Sequence, residues 1–339
     1  MKITVIIPIY NRSKMLTQAL ESLRWQSYKD FVVMICDDAS TANLQEVVNK
    51  FPDLNIEYLR YDMNVGQFAN AMRGVERCQT QFIKFLYSDD LLFPNALEKQ
   101  VKALEDSPNT AVCLGEYIEF KEENNDISLY NIISPYIPEL RTRKQWARLE
   151  EYAGFIPSAC MYRTEFFRNI GGFHTALPGI GDWEIFVALS YKYSVVAIDE
   201  PVCAMRLHSD QVTKKCGVDS DAIYIKDVLW MTSNSNHYRE RLGLPLSQQF
   251  FLRLDQCWVS LRSIVSAQNK FALLKKWLGI FSSNKMLIPF ILAFPWFVVL
   301  KILRKPKLKT DGDDALNKEE YENYICSIVF DNSSVILSK

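Results

Sequence analysis

The sequence lacks the features that would place it in several common classes. Its 39 Lys+Arg and 40 Asp+Glu leave a formal net charge of -1. No basic excess therefore marks a nucleic-acid or general polyanion binder, and a phosphorylated ligand would have to be held by a local site. None of the eight cysteines forms a C-x-x-C pair, which argues against a redox dithiol or a zinc ribbon. Several lie in apolar runs, as in Ala111-Val112-Cys113-Leu114, and read as buried, reduced thiols of a cytosolic protein. The opening Met1-Lys2-Ile3-Thr4-Val5-Ile6-Ile7-Pro8 is too short for a signal peptide, lacks a small-residue cleavage site and stops at a proline. It reads as a buried first strand, so the catalytic part is expected on the cytoplasmic side. There is no internal repeat and no long low-complexity segment.

What is present is a chain of 339 residues, 48% hydrophobic and 23% charged, enough for one sizeable α/β domain and an appendage. Apolar β-rich runs alternate with helical spacings up to about residue 115. Strands are expected at Lys2–Ile7, Phe31–Cys36, Ile56–Arg60, Phe82–Tyr87 and Thr110–Leu114. Helices are expected after Ser13, at Leu44–Phe51, at Gln67–Cys78 and from Pro94 to Glu105. Such alternation implies βαβ units and a Rossmann-like, mostly parallel sheet flanked by helices. Ligands of open α/β sheets bind beyond the carboxyl ends of the strands, which directs attention to Pro8-Ile9-Tyr10-Asn11, Asp37-Asp38 and Ser88-Asp89-Asp90.

Adjacent carboxylates at the end of a buried strand are costly without a compensating positive charge. The oxygens of Asp89 and Asp90 suit a hard divalent ion, Mg²⁺ or Mn²⁺, that keeps waters and takes diphosphate oxygens. An Asp pair capping the next turn is the plainer reading. Asp37-Asp38-Ala39-Ser40 repeats the arrangement and could hold a nucleoside base or ribose.

Together these pieces resemble the family 2 glycosyltransferases of the glycosyltransferase A fold. Val5-Ile6-Ile7-Pro8-Ile9-Tyr10-Asn11 is similar to that family's first strand and nucleotide-binding loop. Gln26-Ser27-Tyr28-Lys29-Asp30-Phe31 resembles its link into the second strand, and Asp37-Asp38-Ala39-Ser40 its base-binding turn. Asn64-Val65-Gly66 resembles the turn before its third helix, Ser88-Asp89-Asp90 its metal motif, and Gly171-Gly172-Phe173 with Gly181-Asp182-Trp183-Glu184 its acceptor-side motif. The resemblance spans about residues 1–210. It implies an inverting transferase dependent on a nucleotide sugar, a UDP-sugar by resemblance. Pro8, Tyr10, Asn11, Asp38, Asn70 and Asp89 would bind the nucleotide. Asp90 and His208 would hold the metal, Asp182 would be the general base, and Trp183 and Phe173 would meet the acceptor. Core packing is the plainer reading of those two aromatics, and a helix N-cap is that of Asp182. The sequence departs from the pattern at Tyr87, where an acidic residue is common, at Gly181, where Glu is common, and at Asn70-Ala71-Met72-Arg73, where an Arg-Asn pair is common.

The domain expectation is a catalytic unit over 1–215, divided into nucleotide-binding (1–115) and acceptor-binding (116–215) halves. A helical extension over 216–284, an apolar and basic segment over 285–309 and a poorly packed tail over 310–339 follow. Met286–Leu300 is apolar but shorter than the ~20 residues of a spanning helix and is interrupted by Pro289 and Pro295. Arg304, Lys305, Lys307 and Lys309 follow it, as in a monotopic or re-entrant contact with the inner face of the membrane. A buried core helix or a homodimer interface is the alternative. The expected partners are a nucleotide-sugar donor and a glycan or lipid-linked acceptor. A nucleotidyltransferase, which usually carries a Gly-rich loop after the first strand, or a non-catalytic nucleotide- or glycan-binding scaffold are the competing functions.

Overall fold

A computed structural model of the protein describes residues 1–124, 126–133, 156–209 and 315–330, with isolated positions 211, 227, 275 and 278. Strand β1 (Ile3–Ile9) is buried along its whole length, as the run of β-branched residues requires of a strand covered on both faces. It lies centrally. Strand β2 (Phe31–Asp37) pairs with it in parallel on one side, β4 (Phe82–Phe85) in parallel on the other, and β3 (Ile56–Arg60) continues beyond β2. Helices α1 (Ser13–Arg24), α2 (Gln45–Val48), α3 (Gln67–Arg77) and α4 (Ala96–Glu105) make the connections.

Beyond β4 the sheet becomes mixed. Strands β5 (Leu91–Leu92), β6 (Thr110–Glu123), β7 (Asp126–Ile133), β8 (Cys160–Arg163) and β9 (Ser194–Arg206) complete the order β3-β2-β1-β4-β8-β6-β9-β5, with β7 paired on β6. β8 runs antiparallel to β4 and β6, while β9 runs parallel to β6. The sheet is thus parallel through its first half and curls into a mixed second half. Three expectations need adjustment. β4 stops at Phe85, two residues before Tyr87. β6 runs on to Glu123 and forms a hairpin with β7. Ser13 begins α1 without capping it, because Arg12 fills that position at φ 73°.

Two apolar clusters sandwich the sheet. One gathers Leu16, Leu20, Leu23, Leu97, Val101 and Leu104 from α1 and α4, and the other Phe68, Ala71, Val75, Phe167, Phe186 and Leu189 from α3, α5 (Thr164–Asn169) and α6 (Gly181–Lys192). A buried aliphatic or aromatic side chain of this kind contributes about 1.5–3 kcal/mol. Helix α7 (Ala315–Val329) corrects the reading of 310–339 as a loose tail. Ile325, Ile328 and Val329 are buried against Leu91, Phe93, Ile118 and Phe120. Cys36, Cys78, Cys113, Cys160 and Cys203 are free and buried. The helical extension, the Met286–Leu300 run and its basic flank lie outside the described residues. No helix among the described residues is long and apolar enough to cross a membrane.

Candidate active site

β2 and β4 flank β1 in parallel register, so both acidic pairs and the Tyr10–Arg12 loop share the carboxyl edge of the sheet. Asn11 and Arg12 leave β1 with positive φ, 58° and 73°. Left-handed backbone is uncommon away from glycine, although asparagine tolerates it better than most residues. Here side-chain bonds hold it in place. The Asn11 backbone N–H donates to Ser40 Oγ at 2.7 Å. Asn11 Oδ1 accepts from Thr41 N at 2.9 Å, Thr41 Oγ1 at 3.1 Å and Ala42 N at 3.2 Å. The Asn11 side chain is thereby used to bind the two loops together. Tyr10 is exposed beside it at 48%, and Pro8 is buried within β1.

The Asp37–Asp38 pair is fully engaged by the protein. Asp37 accepts from Tyr58 Oη at 2.5 Å and Ser40 N at 2.9 Å. Asp38 Oδ1 accepts from Val65 N at 2.9 Å and from Arg73 Nη1 at 3.0 Å, and Oδ2 accepts from Gly66 N at 2.9 Å. Gly66, at φ 86°, turns the chain so that its amide reaches that oxygen. Arg73 lies 4.1 Å over the ring of Tyr61. Arg73 of α3 therefore serves Asp38. Asn70 Nδ2 donates to the Cys36 carbonyl at 2.7 Å, while its Oδ1 is buried without a hydrogen-bond partner.

The Asp89–Asp90 pair is built differently. Asp90, 5% exposed, accepts from Ser158 Oγ at 2.6 Å and the Arg206 backbone N–H at 3.3 Å. Burial, and then the charge of Asp89, push its carboxyl up to about 8. Burial also opposes ionisation of Asp89, but there the hydrogen bond to His208 and the charge of Arg12 outweigh it and hold the carboxyl low. Two side chains meet one oxygen, with Arg12 Nη1 at 2.6 Å and His208 Nε2 at 3.0 Å from Asp89 Oδ2. His208 is thus at the acidic pair, some 119 positions along the chain from Asp89.

A divalent cation fits this donor set. Asp90 is a buried carboxylate held off its charged form by a like charge, which is the condition a metal relieves, and His208 adds an imidazole alongside. Among the described residues no compact group of three His, Cys, Asp or Glu could enclose a metal alone. The remaining positions would fall to water and diphosphate oxygens, as magnesium-type sites prefer.

Asp182 is the second residue of α6, and Ile180 occupies the capping position, so Asp182 is not that helix's N-cap. It lies in the first turn, where the helix dipole favours a negative charge. Gly181 has a packing reason, since a Cβ there would come within 2.8 Å of the Phe68 ring. Among the described residues the hydroxyl of Tyr87 is buried without a hydrogen-bond partner. Burial, and then the charges of Asp182, Asp90 and Asp89, raise the Tyr87 phenol, so this one hydroxyl lies within the fields of the candidate base and both acids. Phe173 corrects an expectation. It is 3% exposed and packs on Phe68, Phe85 and Phe167 at centroid distances of 5.0, 4.8 and 5.2 Å, leaving no face for an acceptor. Trp183 lies in α6, with its side chain outside the described set. Sequence reading passed over Arg12 and Ser158, whose partners are 77 and 68 positions away.

The family model described as glycosyl transferase family 2 matches residues 4–171, which contain the first sheet half and both acidic pairs. Residues 4–171 belong to glycosyl transferase family 2. An uncharacterized glycosyltransferase of Haemophilus influenzae is 25% identical over 310 residues, covering 90% of this chain and 97% of its own. The amylovoran biosynthesis glycosyltransferase AmsE of Erwinia amylovora is 25% identical over 268 residues, 74% of this chain and 88% of its own. Among solved structures, TarS of S. aureus superposes with TM-score 0.60 at 16% identity, over 99% of this chain and 54% of that one. TarS 1–349 in complex with UDP-GlcNAc superposes with TM-score 0.53 at 17% identity, over 92% and 95%. These likenesses establish the glycosyltransferase A type of this family 2 enzyme's fold.

Proposed function

We propose that this glycosyltransferase moves a sugar from a nucleotide sugar, UDP-linked, to a hydroxyl of a glycan or lipid-linked glycan in cell-surface polysaccharide synthesis, with inversion. The observation that carries the reading is the shared carboxyl edge of the sheet, where Asp89 and Asp90 follow β4 with His208 Nε2 3.0 Å from Asp89 Oδ2, and the engaged Asp38 turn follows β2 on the other side of β1. The UDP-GlcNAc complex of TarS and the amylovoran biosynthesis in the name of AmsE support the donor and acceptor classes. In this reading Asp182 takes the proton of the acceptor hydroxyl as that oxygen attacks the anomeric carbon from the face opposite the nucleotide. Asp89, Asp90 and His208 would hold a Mn²⁺ or Mg²⁺ ion, which when bound would supply positive charge against the departing diphosphate. The loop at Tyr10–Asn11, the Asp38 turn and Asn70 frame the base. The segment 285–309 rests on the inner face of the membrane and brings the site to lipid-linked acceptors.

Asp182→Asn tests the reading. Donor affinity should remain near wild type, transfer should fall by about 10²-fold or more, and the wild-type product should carry the inverted anomer. A retained configuration, or donor binding lost together with transfer, would remove Asp182 from the base role.

A further inference from the structure

Helix α7 lies beyond the residues that match the family, yet hydrogen bonds join it to the acidic pair. Its carboxyl end packs under β5, the two-residue strand that follows Asp90. Phe93 meets Tyr321 and Tyr324 at 4.7 and 5.6 Å, and Tyr324 Oη donates to the Leu92 carbonyl at 2.7 Å. Gln18 of α1 is 5% exposed and uses both ends of its amide. Nε2 donates to the Val329 carbonyl at the end of α7 at 3.0 Å, and Oε1 accepts from Arg206 Nη2 at 2.7 Å. Arg206, 2% exposed, donates from Nε to the Asp89 carbonyl at 3.2 Å and from Nη1 to Glu122 at 2.7 Å, and its backbone N–H meets Asp90. The guanidinium is fixed on three sides and lies 4.7 Å over the ring of Phe120. Moving the end of α7 therefore means breaking the Gln18 amide away from either Val329 or Arg206. A buried charged donor left without its acceptor is strongly disfavoured.

We propose that Gln18 and Arg206 are positioning residues through which α7 holds the Asp89–Asp90 pair, so that the metal-dependent part of donor binding requires two widely separated stretches of the chain. The inference rests on the reading that this pair holds the metal at the donor diphosphate. It assigns α7 the place of a rear support to the site, directly after the segment proposed to rest on the membrane.

The test keeps the chain whole and compares Gln18→Leu and Tyr324→Phe with wild type. UDP affinity is measured by calorimetry with Mn²⁺ and again in EDTA, and folding is checked by circular dichroism and Tm. Gln18→Leu should weaken UDP binding in Mn²⁺ about tenfold, the usual scale for a hydrogen bond to a charged group. Binding in EDTA, which depends on the Asp38 edge, should stay the same. Tyr324→Phe touches neither Gln18 nor Arg206 and should show the same pattern with smaller amplitude. Affinities falling equally with and without metal would make Gln18 a fold-stabilising residue only and overturn the proposal, as would a variant whose loss of fold lowers both. Tyr324→Phe behaving as wild type while Gln18→Leu does not would remove α7 from it. A wild-type chain whose UDP affinity ignores Mn²⁺ would instead overturn the metal reading beneath it.

Discussion

Asp37–Asp38 and Asp89–Asp90 stand at the ends of two strands that flank β1 on opposite sides, and in sequence they are nearly interchangeable. Their surroundings differ. The first pair has the Tyr58 hydroxyl, three backbone amides and the Arg73 guanidinium as partners. At the second, Asp89 has Arg12 and His208 on one oxygen, while among the described residues Asp90 has a serine hydroxyl and one long backbone contact. An acidic pair with enough donors around it is a structural joint. A pair with too few is a cation site in waiting. The number and charge of nearby donors separate the two cases.

The largest effect should come from changing Asp90, the acid with the fewer donors. Asp90→Asn should lower metal-dependent transfer by at least about 10²-fold and weaken Mn²⁺ binding measured by calorimetry. Its Tm should fall less than that of Asp38→Asn, because among the described residues fewer donors, the Ser158 hydroxyl and the Arg206 amide, are set against the new amide. Full activity of this variant in a chelator would show that the pair does not act through a metal. At the other pair the expectation reverses. Asp38→Asn sets an amide donor against Val65 N, Gly66 N or Arg73, and should destabilise the chain by about 1–3 kcal/mol in urea unfolding. A neutral unfolding result would mean that these donors find other acceptors and that the two pairs are alike.

Much of this contrast could not be read from the chain. The strands and helices up to α4 were legible because buried strands and amphipathic helices leave runs and periods in the sequence. The mixed half was less so, because β6 runs for 14 residues through apolar and charged stretches without a change of pattern at Leu114. Helix α7 carried a signal that was missed. Tyr321, Tyr324, Ile325, Ile328 and Val329 follow the i, i+3, i+4, i+7, i+8 spacing of a buried face, but the acidic stretch before them suggested a solvated tail. Asp38 and Asp90 were singled out by their place at strand ends, and His208 by the family resemblance. That Arg73 neutralises the first, Ser158 and Arg206 bind the second and Arg12 shares an oxygen with the third depends on contacts between distant segments, which spacing does not encode.

The smallest expected effect concerns the cation behind each pair. Arg73 lies directly on Asp38, whereas Lys84 of β4, fully buried, gives its Nζ to Gln100 Oε1 at 2.6 Å. Gln100 Nε2 is in turn donated to the Ala159 carbonyl at 2.8 Å. Cys203, Cys160, Cys113 and Asp90 are the ionisable groups around Lys84. Burial outweighs their influence and pushes the ammonium from its ordinary 10.5 down to about 8. Between those two values the unfolded chain holds a proton that the folded chain has released, so this lysine makes stability rise with pH across that window and lowers it as pH falls toward 8. The buried thiols act in the opposite sense. Burial raises Cys113 and Cys160 to about 12, so the folded chain keeps protons that the unfolded chain loses. The total slope mixes both contributions, and the informative quantity is the difference between wild type and Lys84→Met. Measured by calorimetry from pH 8 to 10, that difference should move in favour of wild type as pH rises, by no more than about 1.4 kcal/mol per pH unit. A difference independent of pH would mean that Lys84 keeps its charge in the folded chain, sharing the field of Asp90 as Arg73 shares that of Asp38, and the two strand ends would then differ in their donors alone.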